Sequence, residues 1–83
     1  VLLGNAPNPF NPTTSIRLVS ARGGAGLLEV FDLAGRRVSR RAFTASPGRT
    51  SLTWSGTDQA SGVYLYRVTL PEGVREGRMV IAK

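Results

Sequence analysis

The strongest constraint in this chain is a two-residue beat. Between positions 14 and 82, apolar and polar residues alternate in short runs, each ended by turn-forming residues. Ten glycines and five prolines punctuate the chain, and no stretch of about eleven residues keeps apolar residues at a helical period. Successive side chains of a strand point to opposite faces, so each run describes a strip with one buried side. Residues 14–19 place Ile16 and Leu18 on one face, with Ser15 and Arg17 on the other. Residues 27–33 set Leu28 and Val30 against Glu29 and Phe31. Residues 36–43 make a third run with Val38 as its surest inward residue; beyond it Arg40 and Arg41 occupy both parities, so alternation stops selecting a face. Residues 50–54 align Leu52 with Trp54, and residues 63–70 align Tyr64, Tyr66, Val68 and Leu70. Residues 77–82 set Met79 and Ile81 against Val80 and Ala82. Some six to seven such strands, spaced by turn signals, specify an all-β, small antiparallel β-sandwich.

The turns carry their own chemistry. Asp32-Leu33-Ala34-Gly35 offers a carboxylate to bond its own backbone and a glycine for positive φ, which predicts a short hairpin. Pro71-Glu72-Gly73 predicts a second tight hairpin, with proline presetting φ at the corner. Ser55-Gly56-Thr57-Asp58 and Ser61-Gly62 flank a longer connection. Gly23-Gly24-Ala25-Gly26 lacks the helix and lysine of a phosphate loop and reads as a flexible loop between strands. The segment 5–14 differs in kind, with three prolines and three asparagines. Prolines extend the residues before them and Asn side chains close local turns, so it reads as ordered but irregular, with Phe10 anchored in the core.

Composition bounds the chemistry. A length of 83 residues permits one domain, residues 1–83, with one core. Such a domain buries only about 60–65% of the surface its unfolded chain exposes, leaving little room for a deep pocket. There is no cysteine and no histidine, which excludes disulfides, thiol nucleophiles, Ser–His–Asp triads and zinc centres. No apolar run approaches about 18 residues, so no membrane span is expected. The chain opens on Val1 without a start methionine or signal peptide, and so reads as a piece of a longer protein.

The five acids, Glu29, Asp32, Asp58, Glu72 and Glu76, show no catalytic spacing, and three stand in turns. Asp58 with loop carbonyls supplies too few ligands for calcium. No catalytic residue, cofactor site or metal site is expected. Trp54, Tyr64 and Tyr66 alternate with aliphatic residues and read as core, one tyrosine hydroxyl tying a corner, rather than as a sugar-stacking platform. Ten of the eleven basic residues are arginine, giving a net charge of +6. Arg36, Arg37, Arg40 and Arg41 crowd one run, with Arg49 following. Charged side chains on an edge strand block edge-to-edge pairing, which accounts for this cluster better than an anionic partner does. Specific nucleic-acid binding lacks both interleaved aromatics and a groove-reading helix.

Several blocks together resemble a known family. Asn5-Ala-Pro-Asn8-Pro9-Phe10-Asn11-Pro12-Thr-Thr14, followed by Ser15-Ile-Arg-Leu18, resembles the opening of C-terminal type A sorting domains of type IX secretion, the Por secretion tail. It is also similar to the Ig-like domain of the flagellar hook-capping protein. Leu28-Glu-Val-Phe-Asp32-Leu-Ala-Gly35-Arg-Arg-Val38 resembles the family hairpin. Leu52-Thr-Trp54-Ser-Gly56 and Ser61-Gly62-Val-Tyr64-Leu-Tyr66 resemble its Trp and Ser-Gly-Val-Tyr blocks, and Arg78-Met-Val-Ile-Ala-Lys83 its closing strand. The departures are Arg78 in place of the usual lysine and Arg40-Arg41 where an apolar residue is usual.

The resemblance implies an Ig-like or fibronectin type III-like sandwich without catalysis, forming the last module of a secreted bacterial protein. It implies that Gly77, Arg78, Met79, Val80, Ile81, Ala82 and Lys83 are read by an outer-membrane translocon. A sorting peptidase would then remove the module and attach the cargo to anionic cell-surface polysaccharide. Asn8, Pro9, Phe10, Asn11, Pro12, Asp32, Gly35, Trp54, Gly62, Tyr64 and Tyr66 would be structural. Two other readings compete: a structural or adhesive module that self-associates by strand pairing, and a carbohydrate-binding module, which requires exposed aromatics.

Overall fold

The computed structural model of the chain describes residues 2–6 and 12–83. In chain order it contains β1 (Leu2–Ala6), β2 (Thr13–Ser20), β3 (Gly24–Phe31), β4 (Arg37–Ala45), β5 (Gly48–Ser55), β6 (Gly62–Leu70) and β7 (Gly73–Ile81). The described residues contain no helix. All strand pairs are antiparallel and form two sheets, β1-β2-β5 and β4-β3-β6-β7. This is the small β-sandwich that the alternation specifies.

The inward parities supply the core. Ile16 and Leu18 of β2, Leu52 and Trp54 of β5, Leu28 and Val30 of β3, Tyr64, Tyr66 and Val68 of β6, and Met79 and Ile81 of β7 are buried together with Ala45. Leu2, Val38, Phe43 and Leu70 close its margins. Each large apolar side chain withdrawn from water this way stabilises the fold by about 1.5–3 kcal/mol. Both expected hairpins form. Asp32 Oδ1 accepts the amides of Ala34 (3.0 Å) and Arg36 (2.9 Å), and Gly35 takes φ 85°. Leu70 pairs with Gly73 across the turn residues Pro71 and Glu72.

Four strands depart from the alternation, each for a local reason. Strand β1 gives no two-residue signal because Leu3 is an extra residue between the pairs Leu2–Leu18 and Gly4–Arg17. Gly4, at φ 94°, supplies the positive φ that this bulge uses. Strand β3 begins inside the glycine cluster expected to be a loop: Gly24, Ala25 and Gly26 pair with Ala45, Thr44 and Phe43. Gly26 belongs there because the Phe43 ring occupies the space a side chain would need. The same strand ends at Phe31, and Leu33 stands exposed at the hairpin tip.

Strand β4 is bulged as well. Val30 pairs with Ser39 and Phe31 with Arg37, so Val38 is the inserted residue. Val38 is therefore half-buried at the core margin, and the parity facing the other sheet is Ser39, Arg41, Phe43 and Ala45. Strand β7 starts at Gly73, before the run at 77–82, because the charged Arg75 and Glu76 mask its alternation; Ala82 lies past its end. Asn8, Pro9, Phe10 and Asn11, with the expected Phe10 anchor, lie outside the described residues. Pro12 is described, and its carbonyl accepts the Gly56 amide at 2.8 Å.

Candidate functional site: the last strand and the sheet face beside it

The core leaves little interior space. A cavity of about 30 Å³ between the sheets, lined by Leu2, Leu18, Val68 and Leu70 with Glu72 and Arg75, holds little more than a water. Among the described residues no three carboxylates converge as metal ligands. Asp32 and Glu72, which the sequence places in turns, are engaged there. The Arg36 amide holds the Asp32 carboxyl below its ordinary range, aided by the Arg36 guanidinium at 3.1 Å. The Ser20 hydroxyl donates to Glu72 and lowers its pKa, aided by the amides of Ala21 and Arg22. Ser20 also accepts the Gly23 amide at 2.8 Å. The sequence signal for this node was a polar residue continuing the inward parity of Ile16 and Leu18.

The aromatic residues are structural. Trp54, Tyr64 and Tyr66 are 6%, 6% and 2% exposed, which removes the sugar-stacking platform. Trp54 and Tyr64 pack with ring centroids 6.5 Å apart, tilted by 50°. The Tyr64 hydroxyl donates to the Ala60 carbonyl at 2.8 Å, tying the corner before β6 as expected. Burial pushes the Tyr66 hydroxyl up in pKa. Gly62 opens β6 opposite Ile81.

Accessible chemistry gathers on strand β7 and the outer face of its sheet. Among the described residues β7 is an edge strand, paired with β6. Gly77 lies opposite Tyr66, Arg78 opposite Leu65, Met79 opposite Tyr64 and Val80 opposite Val63. Met79 and Ile81 are buried, Gly77 and Val80 are half-buried, and Arg78, Ala82 and Lys83 are exposed. Lys83 closes the end of the sandwich: its amide donates to Ser61 Oγ (3.1 Å) and its ammonium to the Thr57 carbonyl (2.7 Å).

A charge ladder crosses this face from β4 to β7. Arg37 pairs with Glu29 at 3.1 Å, Arg67 reaches Glu29 at 3.9 Å, and Arg67 meets Glu76 at 3.4 Å. The Arg67 guanidinium also covers the Phe31 ring, 5.0 Å from its centroid. Beside the ladder lies an apolar strip of Phe31, Leu65, Val63 and Val80, Leu65 being 43% exposed. Arg78 stands next to this strip and makes no ion pair among the described residues. An apolar strip beside an unpaired guanidinium suits a protein partner with an acidic rim. The carbon face at Leu65, Phe31 and Val63 was not singled out in the sequence, where β6 was read for its inward side.

The arginine-rich run falls where edge protection needs it. Strand β4 is the other edge of this sheet, and Arg37, Arg40 and Arg41 are exposed along it. A family model, secretion system C-terminal sorting domain, matches residues 6–82 of this chain. Among curated proteins, none matches it.

Proposed function

Because the chain belongs to the family of secretion system C-terminal sorting domains, we propose that it is a non-enzymatic export signal read through residues 77–83 by the outer-membrane translocon of type IX secretion. The family is not an enzyme family. In this reading the cargo is delivered to the bacterial cell surface, and a sorting peptidase separates it from the module. The observation that supports the reading is the position of β7. It is a sheet edge whose Arg78 stands without an ion-pair partner among the described residues, beside the apolar strip of Leu65 and Phe31.

The test is an export assay. The chain is fused to a secreted reporter in a bacterium carrying a type IX system, and reporter activity is measured outside the cell and in the periplasm. Arg78→Glu with Lys83→Glu reverses both exposed charges without touching Met79 or Ile81. Export is expected to fall at least about tenfold, with folded fusion retained in the periplasm. Export at the unmodified rate by the doubly substituted protein would refute the assignment.

A further inference from the structure

Among the described strands β7 alone carries charges of both signs, Arg75, Glu76 and Arg78, whereas every charged residue of β4 is arginine. The outward side chains of β7 are Val74, Glu76, Arg78 and Val80, since Met79 and Ile81 are buried and Gly77 lies against the Tyr66 ring. Val74 is 48% exposed. Read in either direction this row is apolar, charged, charged, apolar, and its two charges are opposite in sign. An antiparallel copy with Gly77 opposite Gly77 therefore sets Glu76 against Arg78, Arg78 against Glu76, and Val74 against Val80 at each end. Neighbouring registers lose this match. Centring the pair on Glu76 or on Arg78 puts like charges opposite each other. A one-residue slip sets outward side chains against inward ones. The charged row of the sheet also ends at β7. Arg40 lies opposite Glu29, Glu29 opposite Arg67 and Arg67 opposite Glu76, a run of base, acid, base, acid that stops at this edge. Arg78 of a second copy supplies the next base.

We propose that β7 pairs antiparallel with β7 of a second copy of this chain, about a two-fold axis at Gly77, joining their β4-β3-β6-β7 sheets into one. A self-complementary edge makes an isologous contact, which closes at two copies instead of growing into a filament. The arginine-bearing β4 edges then lie at both ends of the joined sheet, where like charges repel further copies. Arg78 makes no ion pair within its own molecule among the described residues. Glu76 meets Arg67 through one carboxylate oxygen, at 3.4 Å, and its other oxygen remains an acceptor for a second guanidinium. A single strand pair is a small contact, so the association is weak and depends on concentration. Pairing does not depend on export, and it covers the strand that the export reading needs open.

Sedimentation velocity of the 83-residue chain over a range of concentrations tests the pairing. The parent should pass from monomer to dimer as concentration rises. Arg78→Glu lowers the net charge and Glu76→Arg raises it, yet each sets like charges across the axis and should weaken dimerisation at least about tenfold. Glu76→Arg with Arg78→Glu restores opposite signs and should dimerise within about threefold of the parent. A mixture of the two single variants should form a heterodimer just as readily, because each then meets its opposite. Hydrogen exchange of the parent at high and low concentration should show the amides of residues 74–78 slowed on association, a measurement that needs no variant to fold. A parent that stays monomeric at every concentration overturns the proposal. So do single variants that shift in opposite directions, as net charge alone requires, or a doubly substituted chain that dimerises no better than either single one. Association that leaves the amides of residues 74–78 unprotected overturns it as well.

Discussion

Gly77→Ala is expected to destabilise the sandwich although alanine is acceptable to the backbone there. Gly77 is absent from the glycines with positive φ, so the obstacle is space rather than conformation. A methyl at this position would lie 2.5 Å from Cζ and from the hydroxyl oxygen of Tyr66, and 2.9 Å from Cε1. Tyr66 is 2% exposed and paired between Val30 and Gly77, so its ring has no free volume to retreat into. Overpacking of this kind costs about 1–3 kcal/mol. Replacing glycine restricts the unfolded chain and returns about 0.4–1 kcal/mol. At the middle of both ranges the net loss is about 1.3 kcal/mol, which lowers the melting temperature of a domain this size by about 5–10 °C. Urea unfolding followed by the fluorescence of Trp54, the sole tryptophan, measures it.

The cause is separable from the effect. In a Tyr66→Leu background the three crowding atoms are gone, so adding Gly77→Ala should cost nearly nothing. A coupling of at least about 1 kcal/mol between the two substitutions is expected. Strict additivity within about 0.5 kcal/mol, or a Gly77→Ala protein as stable as the parent, would refute the steric reasoning.

Three further outcomes follow from the same geometry. Tyr64→Phe removes the 2.8 Å bond to the Ala60 carbonyl and should cost about 1 kcal/mol, seen as a melting temperature about 4–8 °C lower; an unchanged value counts against the corner tie. Asp32 and Glu72 are held below their ordinary pKa in the folded state, so the unfolded chain binds protons more readily; their contribution is complete above the ordinary carboxylate range and is lost as pH falls through the folded-state values. Asp32→Asn with Glu72→Gln should therefore flatten the fall in melting temperature between about pH 5 and about pH 2, and an equally steep fall refutes the assignment. Arg40→Thr with Arg41→Thr removes charge from the β4 edge and should produce concentration-dependent association in sedimentation velocity; a variant that stays monomeric where the parent does contradicts the edge-protection reading.

Legibility of the fold followed the alternation. Strands β2, β5 and β6 show their inward sides directly, since each carries at least two successive apolar residues at alternate positions and no bulge interrupts them. Where a bulge inserts a residue the beat fails, and it failed at Leu3 in β1 and at Val38 in β4. A bulge is a property of strand pairing, so one strand read alone does not reveal it. The glycines of β3 misled for a different reason: Gly26 is small to admit Phe43, a contact between strands 17 positions apart in chain order. The candidate site was half legible. Residues 77–83 stand out as a closing run, but the strip of Phe31, Leu65 and Val63 beside Arg78 exists only after three strands are laid together. Charge behaved likewise, because composition records a surplus of +6 while the sheet register decides which arginines meet a carboxylate.

Strand β7 binds any signal it carries to the fold that carries it. A linear motif is readable in an extended chain, but in residues 77–82 nearly every residue offered outward is flanked by one that the core requires. Met79 is 0% and Ile81 1% exposed, and each lies beside Arg78 or Val80 in the chain. Truncating buried side chains of this size costs about 2–5 kcal/mol apiece. Two such losses approach the roughly 5–15 kcal/mol that hold a whole domain together. Deleting residues 77–83 therefore removes the sandwich along with the strand, and lost export in such a deletion reports on folding as much as on recognition. The exposed charges escape this coupling. Arg78 makes no ion pair among the described residues, and the contacts of Lys83 to Thr57 and Ser61 are solvent-exposed and weak. A protein with Arg78→Glu and Lys83→Glu that melts cooperatively near the parent temperature yet stays in the periplasm assigns the signal to the surface of β7 rather than to its stability.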